Sequence, residues 1–128
     1  MAVSSVAVAR AVLVAALPGV KVAQSTPNPI PAQFIRVTRA GGGRSRELDQ
    51  PRVLVECFAT TTASAPDGPA AEQLALNAYD ALRSAASAGP WAGGWVTGWE
   101  GNSIADYPDP DQAKHARWQF SGQLYLLT

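Results

Sequence analysis

The chain has one cysteine and one histidine, so Cys57 with His115 is the only thiol–imidazole pair it offers for nucleophilic catalysis. Acyl transfer would need the two within hydrogen-bond reach and a third group to orient the ring. The local pattern points elsewhere. Cys57 lies on the inward-reading face of a strand, where a free thiol acts as a small hydrophobe, and His115 stands beside Lys114 at a strand start, an ordinary exposed position. Asp106, Asp109 and Asp111 are oxygen donors suited to calcium, but the EF-hand spacing and its terminal glutamate are missing, and Pro108 and Pro110 fix the backbone between them. No Cys/His cluster has zinc spacing either, so no metal or cofactor is expected. A glycosidase carboxylate pair has no motif here, in a chain short for a catalytic groove. Trp91, Trp95, Trp99 and Trp118 could stack on sugar rings, yet such aromatics more often fill cores and interfaces. The chain reads as something other than an enzyme.

Composition bounds the rest. A length of 128 residues suits a single domain, and 47% hydrophobic with 16% charged residues is globular rather than disordered. Ten basic residues balance ten acidic ones, so the total charge calls for no nucleic-acid or anionic-membrane partner. A lone cysteine cannot form an intramolecular disulfide, which leaves the fold to packing. The apolar N-terminus is interrupted by Arg10, its charge-free piece Ala11–Leu17 is short for a signal-peptide core, and no Lys or Arg precedes Val3–Ala9. Arg10, Pro18 and Lys21 also break the run of ~20 apolar residues that a membrane span needs. The expected structure is a packed helix from about Val3 to Leu17, ended by Pro18-Gly19 and so aliphatic that something must cover it, a neighbouring subunit being one candidate.

The elements follow from periodicity and breakers. Val20 to Ala23 alternates briefly as a short strand, and the prolines of Thr26–Pro31 make an extended connector. Phe34–Arg39 is the next strand, with Ile35 and Val37 on one side and Arg36 and Thr38 on the other. After Gly41-Gly42-Gly43, the segment to Gln50 carries Arg44, Arg46, Glu47 and Asp49; it is too polar to bury and reads as a mobile hairpin arm. Its glycines match no phosphate-binding pattern. In Arg52–Ala59, Val53, Val55, Cys57 and Ala59 share one face, while Leu54 and Phe58 share the other with Glu56, so the sheet is expected to be covered on both sides. Asp67 is the expected N-cap of a helix running to about Ser87, with Leu74, Ala78, Leu82 and Ala85 on its buried stripe. The glycines around Trp95 and Trp99 favour a strand that puts both indoles on one face.

The last stretch organises the others. From Trp118 the sequence alternates, with Trp118, Phe120, Leu124 and Leu126 on one face, and it is long enough for a central strand. Ahead of it, Asp106–Asp111 is expected to be a stiff, proline-fixed acidic loop outside the sheet. The predicted fold is α+β: one domain over residues 1–128, with a mixed or antiparallel sheet of about four to five strands packed by two helices. The order is α-β-β-β-α-β-β, with residues 41–50 forming a long, flexible β-hairpin arm.

The ordered set TPNPIPAQFIRVTRAGG, RVLVECFAT with its alanine-rich helix, and YPDPD followed by HARWQFSGQLYL resembles the tail terminator proteins of long-tailed phages, especially those of actinobacterial hosts. The resemblance runs from about Val12 to Leu127. It implies a homohexameric ring that caps the head-proximal end of the tail tube, halts tube-protein polymerisation and presents its other face to the head's connector or stopper protein. DNA would cross such a ring only as passing cargo, no membrane or cofactor would be involved, and the protein would reside in the virion at the tail–neck junction after assembly in the host cytoplasm. A cyclic ring needs two different, complementary patches on each subunit. The candidates are Arg44, Arg46, Glu47 and Asp49 in the arm, Leu54 and Phe58 on the strand, and Asp106, Asp109 and Asp111 in the loop. A head-completion or stopper subunit and a small secreted tryptophan-bearing glycan-binding module are the alternatives.

Overall fold

The computed structural model describes residues 3–127. Helix α1 (Ser5–Ala16) starts where the Ser4 hydroxyl accepts from the backbone N–H of Ala7, which satisfies one of the N–H groups the first turn leaves unpaired. Pro18 and Gly19 follow its last turn. Arg10, the one charge in an aliphatic helix, donates from Nε to the Val22 carbonyl at 3.0 Å and so ties α1 to the sheet. Helix α2 (Gly68–Arg83) is capped by Asp67, as its sequence predicts, and a single 3-10 turn, Ala85–Ser87, extends it. Leu74, Ala78, Leu82 and Ala85 are buried along one stripe.

Seven strands form one sheet: β1 (Lys21–Ala23), β2 (Gln33–Arg39), β3 (Leu48–Asp49), β4 (Arg52–Ala59), β5 (Trp95–Gly101), β6 (Ala105–Asp106) and β7 (Ala116–Leu127). The architecture is α+β in the expected order, with β3 and β6 added. Both are two-residue strands, too short to show alternation in the sequence. Strand β7 is the spine: β4 runs antiparallel along one side of it, and β5 and β6 pair with the other. Strand β1 pairs parallel with β2, which pairs antiparallel with β4.

Both helices lie on one face of this sheet. There Val8, Val12 and Leu13 of α1 and Leu74, Ala78 and Leu82 of α2 pack on Ile35, Val37, Val53, Val55, Cys57, Phe120, Leu124 and Leu126. Burying each large aliphatic or aromatic side chain contributes roughly 2 kcal/mol. Among the described residues the opposite face carries no α-helix, only the 3-10 turn Pro110–Gln112. Its cover is the chain's own segment 107–115, which lies over the stacked rings of Phe34 and Phe58, 4.4 Å between centroids. The expectation of a sheet covered on both sides therefore holds for Phe58, but with a loop as the second layer.

Two expectations about backbone path change. Asp106 is not outside the sheet: Ala105–Asp106 pairs with Gln119 and Trp118, and the Tyr107 N–H continues the ladder to the Arg117 carbonyl at 2.9 Å. The stiff, unpaired path begins only at Pro108, the first residue with no N–H to give. Trp95 and Trp99 do not share a face either. A β-bulge between Val96 and Gly98 inserts a residue, which shifts the side-chain phase by one. Val96 and Trp99 turn to the core opposite Leu126 and Leu124, and Trp95 is left 51% exposed.

Candidate interaction surfaces

The chemistry-bearing residues separate by face and by end of the sheet. Cys57 points into the helix-covered core and is fully buried. Burial, aided by the neighbouring Glu56 carboxylate, pushes its thiol well above the ordinary range. His115 lies on the other face, edge-on to Phe34 and Phe58, with Nε2 2.9 Å from the Pro31 carbonyl oxygen. It is half-buried, not exposed as its neighbours in the sequence suggested. Successive strand residues point to opposite faces, so the sheet itself separates the thiol from the imidazole and no nucleophile–base pair forms.

The face opposite the two α-helices carries a charge cluster that local sequence reasoning missed. Arg36 of β2 donates to both Glu56 oxygens, at 3.2 and 2.8 Å, and Arg117 of β7 donates to Glu56 Oε2 at 2.6 Å. Asp109 from the covering loop sits between the same two guanidiniums, 3.3 Å from Arg36 and 3.6 Å from Arg117. Two cations and two anions thus alternate and nearly neutralise one another, as burial requires. The hydrogen bonds to Glu56 are the chief cause that holds the Arg36 guanidinium above its ordinary value. Arg36 also lies over the Phe58 ring at 4.9 Å and Arg117 over the Tyr107 ring at 5.3 Å. One signal was available: Arg36, Glu56 and Arg117 each sit at the non-core phase of a different strand.

The cluster changes the standing of several candidate residues. Asp109 is drawn inward as the clasp of residues 107–115, and its Oδ1 accepts from the Asp111 N–H at 3.0 Å. Asp106 and Asp111 remain exposed. Among the described residues no His, Cys, Asp or Glu side chains group in threes that could hold a metal ion. Phe58 is fully buried by its own chain, so no neighbour is needed to cover it, whereas Leu54 is half-buried on the same face.

The glycine-rich arm is anchored rather than free along its length. The expectation that it is too polar to bury fails at Asp49, which is 1% exposed. Its carboxylate receives both terminal nitrogens of Arg39, at 2.9 and 3.0 Å, and this fork is the chief cause that raises the Arg39 guanidinium above its ordinary value. Leu48 and Asp49 pair with Leu127 and Leu126, and the Gln50 N–H bonds the Gly43 carbonyl. Gly41 to Glu47 is exposed throughout, and its tip carries Arg44, Arg46 and Glu47.

The tryptophans form no ligand platform. Trp91, Trp99 and Trp118 pack against the core, Trp91 donates to the Ala85 carbonyl at 3.0 Å, and Trp95 alone of the four is exposed. At the end of the sheet opposite the arm lies an open depression of about 640 Å³, formed by the segments entering β2, leaving β4 and entering β7.

A chain in a solved structure described as the virion of a native gene transfer agent particle has a similar fold. The TM-score is 0.60 at 14% sequence identity, over 92% of this chain and 86% of that one. Known family profiles and curated proteins give no match to the sequence.

Proposed function

We propose that this chain is a structural virion protein, a tail terminator that closes the head-proximal end of a tail tube as a homohexameric ring. In this role it stops tube-protein polymerisation and offers a joining surface to a connector or stopper protein, while DNA passes through the channel. The observation that carries the reading is the likeness of fold to a chain of an assembled virion over 92% of the length, together with the ordered YPDPD and HARWQFSGQLYL motifs. The geometry is compatible with a ring. Strands β1 and β5 leave open sheet edges on opposite sides, and the arm and the acidic loop occupy opposite ends, so the subunit offers the unlike surfaces that head-to-tail contacts use. Arg44, Arg46, Glu47, Leu54, Asp106 and Asp111 are the residues proposed for such contacts. Catalysis has no assigned place in this role.

The test is the solution mass by light scattering of the full-length chain, alone and with tail-tube protein from the same genome. A ring, or a monomer that forms one on tube ends and stops their growth, supports the terminator. A monomer that ignores tubes at every concentration overturns it, and binding to connector rings instead would identify a stopper.

A further inference from the structure

The arm tip and the 640 Å³ depression lie at opposite ends of the same strands. The arm joins the end of β2 to the start of β4; the depression is walled by Ile30, by Thr60–Thr62 just after β4, and by Asp111–His115 just before β7. Eight residues of β4 separate them, roughly 26 Å at strand rise. One is the turn of a hairpin and the other a depression. The tip exposes Arg44, Arg46 and Glu47, two cations and one anion, while the rim of the depression exposes Asp111 and Lys114 around an Ile30 that is 49% exposed. An exposed isoleucine within a concave wall is apolar surface that a docked segment would cover.

We propose that the arm tip of one copy seats in this depression of the next copy, with Arg44 and Arg46 toward Asp111 and Glu47 toward Lys114. The occupant is a second copy of this chain because the complementary charges are both on the chain itself. Their placement at opposite ends generates the head-to-tail contact that a closed ring repeats. Mixed charge on the tip argues against a nucleic-acid backbone as its partner, which would favour uniform positive charge. The inference rests on the ring reading and adds which surface meets which. Aligned opposite charges at such a contact set partner choice and register.

The experiment uses two full-length variants, Arg44→Glu with Arg46→Glu, and Asp111→Lys, each checked by its melting curve to be as folded as the parent. In the first the tip is acidic and faces the native Asp111; in the second the native basic tip faces a basic rim. Each alone should lose the ring, dropping the mass roughly six-fold to the 13.4 kDa monomer. A one-to-one mixture should restore it, since the acidic tip then finds the basic rim and the native tip finds the native rim. Folded variants that each form rings as well as the parent, or a mixture that stays monomeric, overturn the tip-in-depression contact while leaving a ringed parent intact. Loss of DNA retention with rings unchanged overturns it in favour of a DNA-facing tip. A parent that is monomeric with and without tubes overturns the ring reading beneath it.

Discussion

Arg117 Nη1 donates to Glu56 Oε2 at 2.6 Å, in a pair whose side chains are only 10% and 7% exposed, beneath the loop that carries Tyr107 and Asp109. The same oxygen also accepts from Arg36 at 2.8 Å, so Glu56 is the hub that lets two guanidiniums share one small volume. Replacing it with an uncharged isostere leaves two cations facing a single carboxylate. Glu56→Gln is therefore expected to lower the unfolding free energy by about 3 kcal/mol, the low end for breaking a buried pair, because Arg36 keeps some contact with water. Urea titration checks this, and a loss below about 1 kcal/mol would mean that solvent already screens the cluster.

The buried Cys57 thiol gives a signed pH dependence. Its folded pKa is raised above the ordinary 9.0, so the folded chain holds the thiol proton more tightly than the unfolded chain does. The contribution to stability is fully present below pH 9.0 and is lost as pH rises through that value, by about 1.4 kcal/mol per pH unit. The stability difference between the parent and Cys57→Ala should shrink accordingly above pH 9, and a thiol reagent should modify Cys57 only in unfolded chain. Rapid modification of the native protein contradicts the buried position.

The bulge in β5 separates two tryptophans that even spacing would pair. Trp95→Ala should leave stability within about 0.5 kcal/mol, since half of that indole is in water. Trp99 packs against Tyr79 and Phe120 with ring centroids 5.8 and 6.0 Å away. Trp99→Ala should cost about 3 kcal/mol by leaving a cavity. Equal losses in the two melting curves would place both rings on one face and remove the bulge.

Close approach makes Gly122 sensitive. A side-chain carbon there would collide with the Trp99 ring, which crosses directly over it, so Gly122→Ala should destabilise by about 2 kcal/mol through overpacking. If Trp99→Ala relieves that penalty in the double variant, the contact is direct; additive losses would refute it.

The turn Trp91–Gly94 tests backbone strain with the opposite sign. Its two ends exchange backbone hydrogen bonds of 2.7 and 2.8 Å, and the central residues Ala92 and Gly93 take φ of 46° and 82°. This two-residue hairpin geometry favours Asn-Gly or Gly-Gly. Ala92→Gly should therefore raise stability by about 0.5 kcal/mol, less than the full strain because glycine is also freer when unfolded. A lower melting temperature would show that Ala92 is not strained.

The sequence by itself determined what depends on neighbours along the chain. The Asp67 cap, the stripe of α2, the inward set Val53–Val55–Cys57 and the alternation of β7 were legible because helix and strand periods assign faces without reference to any partner. The tertiary structure decided what depends on strands meeting. Two-residue strands exist only through their pairing with β7, and a bulge reverses a face without leaving any mark on spacing. The charges show this most plainly. Asp49 and Asp109 read as solvated loop residues until folding brings Arg39 beside one, and Arg36 and Arg117 beside the other. A carboxylate is buried or exposed according to whether a cation arrives to pair with it, and for Asp109 the nearer of its two cations, Arg36, lies 73 residues away in the chain.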